Sequence, residues 1–516
     1  MSPKENEPLL KEESSSYGSS SSSDALNLEG TVQDRTTQSK VVIPKRTVIV
    51  EPVFFMFSIA MIGSVPVVEQ YLYARFSEQF PILSNVTHDN ASETINGTGP
   101  CSHVNKSDPY YEATQAVQAE TSKWMMYLQV LPSLLSVFTT LIYGAYSDGV
   151  GRRVALLIPC ASTTVKFVLN CFIIYFNFPV YCFLIGQVFD GLGGSFATLT
   201  SAVFAYIADI TRPDQRGMRL TIAETCLTLA MAISQLGLGY FIKATGFFWP
   251  YLTLTLVLIL NMIYLIFFVP ETVVPNKKRS FSVFRSLKQT YRSFTEKDNS
   301  RNIKLFLLTL AVMLYTFPLQ SRFTLQILFT MNIPLCWSSV EVGIYQAVGA
   351  LAIQFGGLVG LKILKMFGMP EIWIAVVGSV SLIASNLVNA WAEDLLLMLT
   401  VALVGAFLLV GVPMLRSLTS RLVRVDEQGK VFSGVGCLEA LVSLTSALVM
   451  NLIYQKTLFF MQGFVFIVSA MFGVVTILVT ILLVCLYGND LAVPRETLLA
   501  DEEKSDLTTS GENKRD

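Results

Sequence analysis

Long apolar stretches separated by short polar ones dominate the chain. A helix needs about 20 consecutive apolar residues to cross a bilayer, and twelve stretches qualify: Glu51–Tyr73, Trp124–Tyr146, Val154–Phe176, Tyr181–Tyr206, Thr221–Ile242, Phe248–Val269, Leu305–Ile327, Gly343–Leu364, Ile372–Asn389, Leu395–Met414, Val431–Ile453 and Phe464–Tyr487. None shows the alternating polar-in pattern of an outer-membrane barrel. The expected fold is an all-α membrane protein with twelve transmembrane helices in two six-helix halves. Residues 47–269 form the first half and 305–488 the second, joined by a polar loop, 270–304. The polar segments 1–46 and 489–516 are expected to be tails without a core.

Charge orients the helices. The 270–304 loop holds nine Lys or Arg and three acids. With the first tail in the cytosol, the loops on that side carry 20 Lys or Arg and those opposite five, Arg75, Lys106, Lys123, Lys243 and Lys456. The positive-inside rule then places both tails in the cytosol. The large loop 76–123 falls outside, and it carries four N-x-[ST] glycosylation sequons, at Asn85, Asn90, Asn96 and Asn105.

Composition narrows the class. Hydrophobic residues make up 52% and charged residues 15%, with a mean hydropathy of +0.53; a soluble domain carries about 25% charged residues. The balance of 37 Lys+Arg against 38 Asp+Glu lacks the basic excess of a nucleic-acid binder. No phosphate-binding G-x-x-x-x-G-K-[ST], metal-ligand spacing or nucleophile–base motif occurs, so an ATP-driven pump, an enzyme, a metal site and a cofactor are not expected. Of the eight Cys, six fall in spans as small apolar fillers. Cys101 and Cys336 lie in outer loops and are expected to form a disulfide between the halves. In the N-tail, Glu5-Asn-Glu-Pro-Leu9-Leu10 matches the acidic dileucine pattern that cytosolic sorting adaptors read.

Charges inside spans are expensive and mark pathways. They are Glu69, Lys166, Asp190, Glu224, Arg322, Arg416 and Glu439. Arg322, Arg416 and Lys166 are candidates to hold an anionic substrate, Arg through its bidentate fork. Glu224, Asp190 and Glu439 are candidates to carry protons, with Glu224 facing Arg322 or Arg416. The two histidines, His88 and His103, lie in the outer loop, so proton coupling is expected to use carboxylates. Between spans 2 and 3, Gly144-Ala-Tyr-Ser-Asp148-Gly-Val-Gly151-Arg152-Arg153 fits G-x-x-x-D-x-x-G-R-[RK]. This is the cytosolic signature of the major facilitator fold, and Asp148, Arg152 and Arg153 are expected to act as a gating latch.

The chain resembles solute carrier family 46, which includes the proton-coupled folate transporter, from about Val50 to Gly488. The resemblance rests on Glu51-Pro52 with Gln70-Tyr71, Ser147–Arg153, Ala205-Tyr-Ile-Ala-Asp209, Pro334-Leu-Cys-Trp337 and above all Leu415–Gly429. It implies a twelve-helix carrier of organic anions, often with protons, and matching motifs put functional weight on Arg152, Glu224 and Arg416. Two positions differ: Leu319 stands where the folate member carries a histidine, and Ser195 where it carries an aspartate. The expected function is secondary active transport of a small organic anion, folate-like or another lysosomal or extracellular solute, coupled to protons by alternating access. It would take place in the plasma or lysosomal membrane. A non-transporting receptor or scaffold on the same fold is the alternative.

Overall fold

Apolar runs in lipid must satisfy their backbone internally, and helices do so. The computed structural model describes residues 49–79, 109–211, 213–272, 299–422 and 428–488, and among them every regular element is helical. The helices are α1 (Glu51–Ser77), α2 (Pro109–Val150), α3 (Arg152–Tyr175), α4 (Phe183–Leu192), α5 (Ser195–Ile210), α6 (Pro213–Thr245) and α7 (Phe248–Phe268), then α8 (Asn299–Met331), α9 (Ser339–Met366), α10 (Glu371–Ala390), α11 (Leu395–Val404), α12 (Gly411–Leu422), α13 (Gln428–Thr457) and α14 (Phe464–Tyr487). Eleven spans among the described residues are long and apolar enough to cross a membrane. The remaining sequence-predicted span, Trp124–Tyr146, lies inside α2. Large apolar side chains such as Leu260, Phe267, Leu478 and Leu482 are exposed, as on a surface that faces lipid rather than water.

Two predicted spans are not single helices. Span 4 divides into α4 and α5 at Gly193-Gly194, where Gly194 takes φ 81°. Span 10 divides into α11 and α12 around a 3-10 turn at Gly405–Phe407. Around each break, hydroxyls of neighbouring helices donate to backbone carbonyls. Thr139 reaches Gly191 O (2.9 Å) and Tyr143 reaches Leu192 O (3.0 Å). Ser381 reaches Val404 O (2.5 Å) and Tyr315 reaches Leu408 O (2.6 Å). Pro66 inside α1 likewise cannot bond back to Ile62 O, which instead accepts from Gln235 of α6 at 3.4 Å.

Several helices also outrun their predicted spans. α2, α6, α8 and α13 extend beyond those spans at both ends, because a helix needs no lipid to keep its hydrogen bonds once it has begun.

One apolar core joins α1 to α7, and others lie within α8 to α14. The two sets meet where α6 packs along α9 and α2 along α13. The end of the bundle where α1 begins is called lower here, and the end where α1 finishes upper. At the upper end the halves touch backbone to backbone. A Cβ at Gly239 would lie 2.6 Å from Ser339 O, and one at Gly343 would lie 2.5 Å from Gln235 O. Hydrogen bonds Gln115–Asn332 (3.1 Å), Ser122–Asn451 (3.2 Å) and Gln129–Thr324 (2.9 Å) also cross between the halves. The structure is therefore closed at its upper end.

Gly343→Ala should destabilise the protein by an overpacking cost of about 1–3 kcal/mol. Gly349→Ala, on the same helix with nothing within 4 Å of an added Cβ, should not. Thermal unfolding of the two purified variants checks this.

Candidate substrate and proton pathway

Arg322 sits on α8, nine residues below its upper end, or about 14 Å down the helix axis. Its guanidinium donates to Asn386 Oδ1 and Ser385 Oγ of α10, both at 2.9 Å, with Tyr345 of α9 alongside. Among the described residues no carboxylate pairs with it. One turn above, Gln326 and Asn389 bond to each other at 3.1 and 2.7 Å. A guanidinium has five donors. Two meet neutral oxygens here, and among the described residues its positive charge has no counter-ion.

Lys166 and Asp190 are arranged differently. Lys166 Nζ donates to Asp190 Oδ2 at 3.1 Å. Thr163 donates to Oδ1 at 2.7 Å and Ser195 to Oδ2 at 3.0 Å. Both members of the pair are buried, and all four residues lie in the first half. The α4–α5 break sets Ser195 at φ 50°, within reach of Asp190. In this conformation neither charge is left free for a substrate.

Lower in the bundle, Arg416 of α12 donates to Glu439 of α13 at 2.5 Å. Glu224, on α6 of the other half, is exposed, and the Arg416 charge acts on it. One turn above Glu224, Thr228 donates to Gln354 of α9 at 2.9 Å. The structure thus brings together Arg416, Glu439 and Glu224, one base between two acids in opposite halves. Glu224 lies with Arg416 rather than with Arg322.

The signature turn is held from both sides. Glu271 accepts from the backbone N–H groups of Arg152 (2.7 Å) and Arg153 (3.1 Å), capping the start of α3. Any Cβ at Gly151, where φ is 140°, would collide with that carboxylate, which explains the glycine of the motif. Arg152 Nε donates to Asp209 Oδ2 at 2.8 Å, and Arg153 donates to Ile266 O. Arg219 pairs with Glu51. The second half mirrors this with signs reversed. Glu371 at the start of α10 pairs with Arg421 near the end of α12 at 2.6 Å, as Arg152 at the start of α3 pairs with Asp209 near the end of α5.

Sequence reading missed Asp209, Glu271, Glu51, Arg219, Glu371 and Arg421 as partners. Asp209 was visible in the Ala205–Asp209 motif. Ser385 and Asn386 could have been found from the run Ser379, Ser381, Ser385, Asn386 and Asn389 in an otherwise apolar helix. Cys336 is disulfide-bonded. Cys101, the sequons at Asn85, Asn90, Asn96 and Asn105, the Glu5–Leu10 motif and the Asp148 side chain lie outside the described residues.

Residues 52–433 match the Major Facilitator Superfamily. The lysosomal proton-coupled steroid conjugate and bile acid symporter SLC46A3 of Gallus gallus is 30% identical over 473 residues, covering 90% of this chain and 99% of the relative. The proton-coupled folate transporter of Bos taurus is 30% identical over 434 residues, covering 83% and 91%. Among solved structures, the human organic anion transporter MFSD10 aligns with a TM-score of 0.59 at 16% identity, covering 84% of this chain and 98% of that one.

Asp190→Asn should leave Lys166 as an unpaired buried charge and cost about 3–5 kcal/mol. Adding Lys166→Met should recover most of that stability. A thermal-shift double-mutant cycle checks this; an undiminished melting temperature in Asp190→Asn would argue that the pair is not structural.

The matched span, the relatives and the helical architecture together make this chain a multi-pass integral membrane protein of the Major Facilitator Superfamily, in its solute carrier 46 branch: a secondary active transporter, not an enzyme.

Proposed function

We propose that the chain carries a small organic anion across the membrane together with protons, by alternating access between the two halves. The observation that supports this most is Arg322, a mid-membrane cation whose bonded partners are neutral. A fixed charge at this depth is costly, and an anion bound between the halves supplies the missing counter-charge. Bile acids and folates, which relatives carry according to their names, have carboxylates that suit a guanidinium fork.

Protons enter this scheme at the lower end. Arg416 exchanges between Glu439 and Glu224 as the halves move, and the acid it leaves takes up a proton. The Arg152–Asp209 and Glu371–Arg421 pairs, with Arg153 and Asp148, hold the lower ends of the halves in shape and act in the gate. The lower end faces the cytosol, consistent with its basic loops. Cys336 pairs with Cys101, and the loop between spans 1 and 2 is glycosylated. The dileucine motif at Glu5, Leu9 and Leu10 recruits a sorting adaptor, and together with the relative named as lysosomal it favours the lysosomal membrane.

The test is uptake of a labelled bile acid or folate at acidic and neutral outside pH, with Leu9→Ala/Leu10→Ala holding the protein at the cell surface. Glu224→Gln should abolish acid stimulation. Arg322→Gln should lower kcat/KM by about 10- to 100-fold, the worth of a charged hydrogen bond. Unchanged acid stimulation in Glu224→Gln, or unchanged kcat/KM in Arg322→Gln, would contradict the respective assignment.

A further inference from the structure

Glu69 belongs to neither of these groups. It lies on α1, 18 residues above Glu51, about 27 Å up the helix axis. It is completely buried, and neither carboxyl oxygen has a hydrogen-bond partner. Among the described residues it forms no ion pair. Tyr454 of α13, from the opposite half, lies within electrostatic reach of Glu69 and of Tyr73, four residues further along α1.

Apart from Tyr110 and the buried Tyr111 of α2, the titratable groups named here on the packed helices are engaged elsewhere or exposed. On α2, Tyr110 neighbours Tyr73, Glu120 pairs with Lys123 and Glu112 is exposed. Lys243 of α6 and Lys456 of α13 are exposed. Tyr251 of α7 accepts from Asn170, Tyr206 of α5 donates to Pro270 O at the lower end, and Arg322 of α8 is bonded to α10. On α1 itself Arg75 pairs with Glu78.

Glu69 therefore faces the opposite half across Tyr454, which also neighbours Asn332 of the Gln115–Asn332 bond that crosses the upper end. Burying an ionised carboxylate without a partner costs several kcal/mol, so the closed arrangement accepts this group only as the neutral acid. Parting the halves at the upper end withdraws Tyr454 and admits water, in which a carboxylate ionises.

We infer that Glu69 is a proton-binding site of the upper gate, and that its protonation from the solution on that side is what permits the halves to close there. The closed state holds one proton more than the open one. Closure is therefore favoured at low pH and weakens as pH rises above the ordinary carboxylate range, by up to about tenfold in the closed-to-open ratio per pH unit. Glu69 thus senses the solution on the upper side, whereas Glu224 faces the lower one. Glutamine is its neutral isostere and should lock the gate in its protonated behaviour.

The experiment needs no substrate, so its outcome is independent of the anion assignment. Ser122→Cys, at the seam, is introduced into the full-length protein together with Leu9→Ala/Leu10→Ala, which holds it at the cell surface, and labelled in cells with a membrane-impermeant maleimide over a range of outside pH. Rates are divided by those of Lys243→Cys, exposed at the same end, to remove the reagent's own pH dependence. Labelling should rise with pH, up to about tenfold per unit. It should stay low and independent of pH when Glu69→Gln is added, and regain its pH dependence with Glu69→Asp. PH dependence that survives Glu69→Gln, or that is lacking with Glu69 intact, would overturn the inference.

Discussion

A charge inside a membrane protein must be paired, hydrated or put to use, and the intramembrane charges here are sorted by which of these holds. Lys166 and Asp190 are paired, with two hydroxyls completing the carboxylate, and they brace the broken fourth span. Arg416 is paired with Glu439 but partly exposed, with a second acid within range across the interface. Arg322 meets neutral oxygens, and Glu69 meets no partner among the described residues. The degree of pairing falls from a structural pair, through an exchangeable one, to a cation awaiting an anion and an acid awaiting a proton. That ordering carries more functional information than the charges themselves.

The same constraint acts on the backbone. Spans 4 and 10 occupy corresponding places in the two halves, and both break at glycine. In both, hydroxyls from neighbouring helices donate to carbonyls around the break. The pairs Arg152–Asp209 and Glu371–Arg421 tie corresponding helix ends with opposite polarity. Each half is thereby stiffened internally. The halves meet along α6–α9 and α2–α13 by helix packing, with a few amide and hydroxyl bonds and the close approach of Gly239 and Gly343 at the upper end, which is the division expected of bodies that rock about a shared site.

Much of the fold was legible in the sequence, because a bilayer imposes a length and a polarity that local composition reports directly. The spans, the signature turn and the candidate charges could all be read that way. What could not be read was pairing. Whether Asp190 serves a proton path or Lys166 depends on two helices meeting 24 residues apart. Whether Glu224 faces Arg322 or Arg416 depends on contacts between halves. Glu271 was passed over because its role is to cap a distant helix, which no local pattern announces. The breaks in spans 4 and 10 were hidden because both sides of each break remain apolar. Glu69 was visible as a charge near a span end, where a snorkelling side chain is the ordinary expectation; only the packed structure shows it buried.

The account rests most heavily on Arg322 as the anion site. The direct measurement is thermal stabilisation of the purified protein by a bile acid or a folate, titrated against the native protein and Arg322→Gln. The account predicts saturable stabilisation of the native protein, growing as RT ln(1 + [L]/Kd), and its loss in the variant. Equal stabilisation of both would contradict it.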